Sequence, residues 1–201
     1  MTDSVQKVMN VAETFLPSYL TPAQKEDLVS ELRKFPNIVN YYLSSGFEDE
    51  ALQGDVWSNF EIIKFDSGDR RTCSGIILSN SCDISPDNER HLPVNNVLFA
   101  PLLSLDRLKK FLSENKVPVA KIESIFQGIK SQSNTSTFFL PGMPGVIEDS
   151  VVLLSDVHIV PASYFKENCK KSLTLSMHGF YIFLIKLSIH FCRFNERVFR
   201  F

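Results

Sequence analysis

The sequence predicts an α+β protein, and three observations carry that expectation. Apolar residues recur at helical spacing through the first fifty positions, alternating and continuous apolar runs of strand type begin after Gly54, and the stretch from Leu173 to Phe201 is the most apolar of all. A chain of 201 residues, 44% hydrophobic and 22% charged, supports one sizeable core with helical additions, not two full domains. The same balance excludes disorder throughout the chain and fibrous or low-complexity classes.

The expected helical N-terminal cap covers residues 1–50. Val5, Val8, Met9, Ala12, Phe15 and Leu16 share a helix face until Pro17. Thr21, Pro22 and Gln24 are a start signal: a cap, a proline at the first helical position and a capping-box partner. Leu28, Val29 and Leu32 supply the next stripe, and a short helix is expected over Asn37 to Leu43. The acidic Glu48, Asp49 and Glu50, followed by Gly54, mark a boundary.

Strands follow. Val56, Ser58, Phe60 and Ile62 fall on one face of an extended run from Asp55 to Phe65, closed by a turn at Asp66-Ser67-Gly68-Asp69. Gly75-Ile76-Ile77-Leu78 reads as a buried strand and leads into a polar loop from Ser79 to Pro93; Val97-Leu98-Phe99-Ala100 is the next strand. A helical insertion is expected over about 104–132. Ser104 caps its first helix, with Leu105, Leu108, Phe111 and Leu112 as the buried face, and Val119, Ile122, Ile125, Phe126 and Ile129 line the second. Strands return at Thr137 to Leu140, Val151 to Leu154 and Val157 to Val160. A long helix then covers 172–201, packed on the sheet or at a dimer seam. Its densest run, Phe180 to Ile185, is followed by Lys186, too short for the roughly 20 residues a membrane span needs.

Four motifs in order resemble the MazF/PemK toxin family. Gly54-Asp55-Val56-Trp57 is similar to its opening strand, Gly75-Ile76-Ile77-Leu78-Ser79 to its second, and Asn96-Val97-Leu98-Phe99-Ala100-Pro101-Leu102 to the strand that reaches a proline. The segment from Ser150 through Asp156 to Val160 resembles its late corner. The resemblance spans roughly 54–165 and implies a central antiparallel SH3-like barrel. It also implies RNA binding, with cleavage that needs no metal, in a toxin–antitoxin or phage-defence setting. The family's arginine directly precedes the second strand, whereas Thr72, Cys73 and Ser74 separate Arg71 from Gly75 here; Leu103, not Ser104, falls nearest the family's hydroxyl position.

Metal-independent RNA cleavage needs a base for the ribose 2′-OH, a cation for the phosphorane and an acid for the leaving oxygen. Arg71, backed by Arg70, is the expected cation, and Ser104 the expected donor to a phosphate oxygen. Asn80, Ser81, Cys82 and Asp83 leave the end of a buried strand and are the expected substrate contacts. An alternative keeps the barrel as a non-catalytic interaction module. A third reading makes Cys82 a nucleophile beside Asp83, with His91 the histidine closest in sequence. His158 reads as a core or rim residue of its strand.

No Cys-x-x-Cys or His-x-x-x-His pair occurs, so neither metal nor cofactor is expected. The widely spaced Cys73, Cys82, Cys169 and Cys192, and an N-terminus without a signal peptide, predict a reduced cytoplasmic protein. Net charge is −2, against a protein that coats nucleic acid by bulk charge. It is unevenly spread: residues 1–66 carry eleven acids and five bases, and residues 165–201 seven bases and two acids. The expected partners are single-stranded RNA, a protein partner or antitoxin, and a second copy in a homodimer, with no membrane.

Overall fold

A computed structural model describes residues 21–23, 26, 27, 30, 41–85 and 96–191. Within them lie β1 (Val56–Ile63), β2 (Arg70–Ile77), α1 (Ser81–Ile84), β3 (Asn96–Ser104), α2 (Leu105–Glu114) and α3 (Val119–Lys130). These are followed by β4 (Thr137–Leu140), β5 (Ser150–Leu153), β6 (His158–Pro161), α4 (Ala162–Asn168), β7 (Lys170–Leu173) and α5 (Met177–Phe191). The seven strands run in the order β4-β5-β3-β2-β1-β7, with β6 on β3, and every pair is antiparallel. The protein is therefore α+β, with an antiparallel sheet and helices around it.

Why the middle of the chain reads as continuous apolar runs is evident from the two faces of this sheet. Ile76, Ala100, Phe138 and Val152 point to one face, where α5 covers them with Tyr181, Ile182 and Phe183. Their sequence neighbours Ile77 and Phe99 point to the other, with Phe60, Ile62, Val160 and Phe165 of α4. A strand buried on both faces has no polar side to alternate with. A third, smaller cluster of Leu105, Ile129 and Val151 sits under α2 and α3.

Several expectations are corrected. Val56 and Phe60 do not share a face: a bulge between Trp57 and Phe60, with Asn59 at φ 65°, sends Val56 to the α5 side and Phe60 and Ile62 to the other. Such an extra residue reverses the alternation beyond it. The second strand begins at Arg70, not Gly75, because Arg70 and Arg71 pair with Ile63 and Ile62 across the hairpin. Tyr41 to Leu43 is extended, not helical: Tyr42 bridges Leu175 and the Leu43 N–H donates to the Thr174 carbonyl. Pro22, Ala23, Glu26, Asp27 and Ser30 are helical; the other N-terminal helix expectations lie outside the described residues.

The loop expected from Ser79 to Pro93 contains α1, and residues 86–93 lie outside the described ones. The C-terminal helix begins at Met177, because Lys170–Leu173 pairs with β1 first; residues 192–201 of the expected helix lie outside the described ones. Phe111 and Val119, expected inside, are 59% and 71% exposed.

Two glycines mark close approaches. A Cβ at Gly75 would lie 2.7 Å from Phe99 and 3.0 Å from Phe60, whose stacked rings (centroids 4.0 Å apart) cross this strand. A Cβ at Gly179 would lie 2.4 Å from the Tyr41 carbonyl oxygen, so glycine lets α5 rest directly on the Tyr41 backbone. Among the described residues no helix is long and apolar enough to cross a membrane.

Candidate functional site

The β1–β2 hairpin positions the two arginines. Its turn is closed by the Lys64 N–H donating to the Asp69 carbonyl (2.9 Å), with Gly68 at φ 72°. Side chains alternate along β2, so Arg70 lies on the face of Glu61, and its Nη1 is 3.3 Å from Glu61 Oε2. Arg71 lies on the opposite face with Cys73. Their cross-strand partners, Ile62 and Phe60, belong to the α4-side core. Arg71 is exposed at the rim of that core and Cys73 is partly buried within it.

Asp156 and His158 form a pair not expected in the chemistry. Asp156, in the turn between β5 and β6, places Oδ1 2.9 Å from Nε2 of His158 at the start of β6. The His158 ring rests 5.7 Å from the Phe99 ring, centroid to centroid. Burial pushes the Cys73 thiol up to about 11, while the Arg71 charge pulls it down and the Asp156 charge raises it. His158 itself pairs with Phe99, which pairs in turn with Ile77 at the far end of β2 from Arg71. The Asp156 bond engages Nε2 of a histidine that is partly open to solvent. The two-residue spacing of the acid and the histidine was the available signal.

The other expected site residues have structural work. The Ser104 hydroxyl accepts the Arg107 N–H (3.3 Å) as the N-cap of α2, and the Ser104 backbone pairs with Ser150. Asn80 Oδ1 caps α1 by accepting the Cys82 N–H (2.9 Å), the Asp83 N–H donates to the Asn80 carbonyl, and Ser81 Oγ accepts from the Gln53 N–H (2.9 Å). Cys82 and Asp83 are exposed there. This turn follows the far end of β2. Six residues separate Arg71 from Ile77, which at about 3.3 Å each is roughly 20 Å, so the structure does not bring Asn80 to Asp83 together with the arginines. His91 lies outside the described residues.

Two buried charges lie elsewhere. Asp55, of the opening Gly-Asp-Val-Trp motif, is fully buried; its Oδ2 accepts from Lys171 Nζ (2.8 Å) and the Leu52 N–H (2.8 Å). Lys171 also donates to the carbonyls of Phe47 (2.6 Å) and Glu50 (2.9 Å). Burial pushes the Asp55 carboxyl up, and Lys171 works against it. Lys186, buried on α5, donates to the Gln132 carbonyl (2.9 Å) and to that of Asn134. Burial pushes its ammonium down to about 8.

Among the described residues, no group of three or more His, Cys, Asp or Glu side chains is arranged to hold a metal ion. No family model matches the chain, and no curated protein matches it.

Proposed function

We propose that this chain is a MazF/PemK-like protein whose sheet curls as an SH3-like barrel, and that it binds single-stranded RNA and cleaves it without a metal. The observation that carries the reading is the Asp156–His158 pair, 2.9 Å apart, together with the exposed Arg71, whose charge and that of Asp156 both act on Cys73. His158 takes the proton of the ribose 2′-OH, Asp156 holds the imidazole in the required tautomer, and the 2′-oxygen attacks phosphorus. Arg71 meets the charge that develops on the phosphorane; its planar fork suits two phosphate oxygens. The 5′ oxygen leaves with a proton from solvent, and the imidazolium returns its own to solvent. The products are a 2′,3′-cyclic phosphate and a 5′-hydroxyl.

Purified protein incubated with mixed-sequence RNA in EDTA tests this. Cleavage should leave cyclic phosphate ends. It should drop about 10²- to 10⁴-fold in His158→Ala, the usual worth of a positioned base, and disappear in Arg71→Ala. RNA left intact by the unaltered protein defeats the catalytic reading. It would favour the interaction module instead, a reading supported by one observation: Arg70 and Ser104 are already engaged, by Glu61 and by the start of α2.

A further inference from the structure

The α2–α3 hairpin carries a charge opposite to that of the rest of the chain. Residues 105–130 hold six bases (Arg107, Lys109, Lys110, Lys116, Lys121 and Lys130) and three acids (Asp106, Glu114 and Glu123). That is net +3 in a chain of net −2, so the remaining residues together carry −5. All six bases are exposed; Lys130 is held by Asp149 (2.7 Å), and Lys110 Nζ lies 3.9 Å from Glu114.

The inner side of the hairpin is accounted for. Leu105, Leu108, Ile125, Phe126 and Ile129 bury against Val151 and Phe139. The outer side carries an aromatic, Phe111, which is 59% exposed. Arg107 lies four residues before it, so the two are neighbours on one flank of α2, and Lys110 borders the same flank. An exposed ring between cations is costly to leave in water and matches a base with its flanking phosphates. Stacking plus backbone charge is how single strands are held without sequence preference.

β3 pairs with β2 as far as Gly75 and Pro101 and then with β5, where Ser104, at the start of α2, meets Ser150. The ten residues of α2 extend for about 15 Å, long enough to track several nucleotides of a single strand.

We infer that the Arg107–Lys110–Phe111 flank of α2 is a second RNA contact, which holds the part of a single strand flanking the scissile phosphate. The inference rests on the RNA reading above but concerns binding, not cleavage. The probe is a fluorescein-labelled, mixed-sequence RNA single strand with 2′-O-methyl riboses, which lacks the attacking hydroxyl. Its anisotropy is titrated with the full chain at several salt concentrations.

Phe111→Ala should weaken binding about 5- to 150-fold, the range for one stacked base. The pair Arg107→Gln and Lys110→Gln should lower the log–log salt slope by about 1.4, from about 0.7 per phosphate on a single strand. Lys166→Gln on α4, an exposed base outside the hairpin, should leave affinity and slope alone. On cleavable RNA the hairpin variants should lose through KM. Because all three side chains are exposed, these changes leave the core intact, and an unchanged unfolding midpoint confirms it.

Wild-type affinity and slope in the hairpin variants overturn the inference even where Arg71→Ala still abolishes cleavage. So does an equal loss in Lys166→Gln, which would reduce the effect to bulk charge. So does a wild-type chain that ignores the single strand and instead binds phosphatidylserine vesicles. Hairpin-dependent binding with no cleavage by the unaltered chain defeats the catalytic reading and leaves this one standing.

Discussion

Lys186→Met is the substitution whose consequence depends most sharply on pH. Lys186 is buried on α5, and its two described partners, Gln132 and Asn134, offer carbonyls and no carboxylate. Burial lowers its pKa from 10.5 to about 8. At roughly 1.4 kcal/mol per pH unit, that corresponds to about 3 kcal/mol. The figure is an upper bound, since both carbonyls favour the ammonium and oppose the fall. Below about pH 8 the folded and unfolded chains both hold the proton, and this group adds no pH dependence. Between about 8 and 10.5 the unfolded chain still binds a proton that the folded chain has released, so the folded state gains stability as pH rises. That gain is complete above 10.5 and is lost as pH falls back through about 8. Methionine cannot titrate and shows none of it. Urea unfolding followed by the fluorescence of Trp57, the single tryptophan, gives the stability of both proteins. Taking wild type minus variant cancels the tyrosines, cysteines and other lysines that titrate in the same window. The difference should be flat from pH 6 to 7.5 and then rise in favour of wild type, by up to about 3 kcal/mol toward pH 10.5. A difference that stays flat through pH 10, or moves against the wild type, refutes the claim that this ammonium is desolvated in the fold.

Lys171→Met strands the Asp55 carboxylate in a fully buried site and should cost about 3–5 kcal/mol by the same urea assay; Asp55→Asn together with Lys171→Met should recover part of it. Ser104→Ala removes the N-cap of α2 and should cost about 1 kcal/mol of stability with little change in RNA cleavage. A cleavage loss beyond tenfold at unchanged stability would restore Ser104 to the chemistry.

The strands and helices that were legible in the sequence are those whose burial is simple. Val97 to Ala100, Thr137 to Leu140 and the α2–α3 insertion announce themselves because apolar spacing follows from facing a core. What was hidden depends on pairing between distant segments. β7 reads as Lys-Lys-Ser-Leu, with little of a strand's composition, and is a strand because β1 needs a partner on its open side: Trp57 pairs with Lys171 and Ser58 with Lys170. The bulge at Asn59 is likewise invisible to period counting. It is visible in its consequences, since Asn59 donates from Nδ2 to the Asn168 carbonyl (3.2 Å) and its own carbonyl receives the Tyr164 hydroxyl (3.2 Å), which docks α4. Phe111 and Val119 sit at helical spacing and still face water, because spacing states that residues share a face and not that anything lies opposite it.

The same distinction separates the expected site from the proposed one. Arg71 was found from the sequence because a guanidinium near a strand start is conspicuous, but its role depends on which face it takes. That is decided by the hairpin register, which pairs Arg71 with buried Ile62 and leaves Arg70 to Glu61. Asn80 to Asp83 looked functional because polar residues cluster after a buried strand; capping a short helix and anchoring Gln53 demands those same residue types. His158 looked structural because it lies inside an apolar run, yet the rim of a core is where an imidazole can be both held by a carboxylate and open to solvent. Residue type marks which groups are able to do chemistry. Which face and which neighbours each of them takes is decided by the antiparallel pairing, which sets Phe60 against Cys73 and Phe99 against His158.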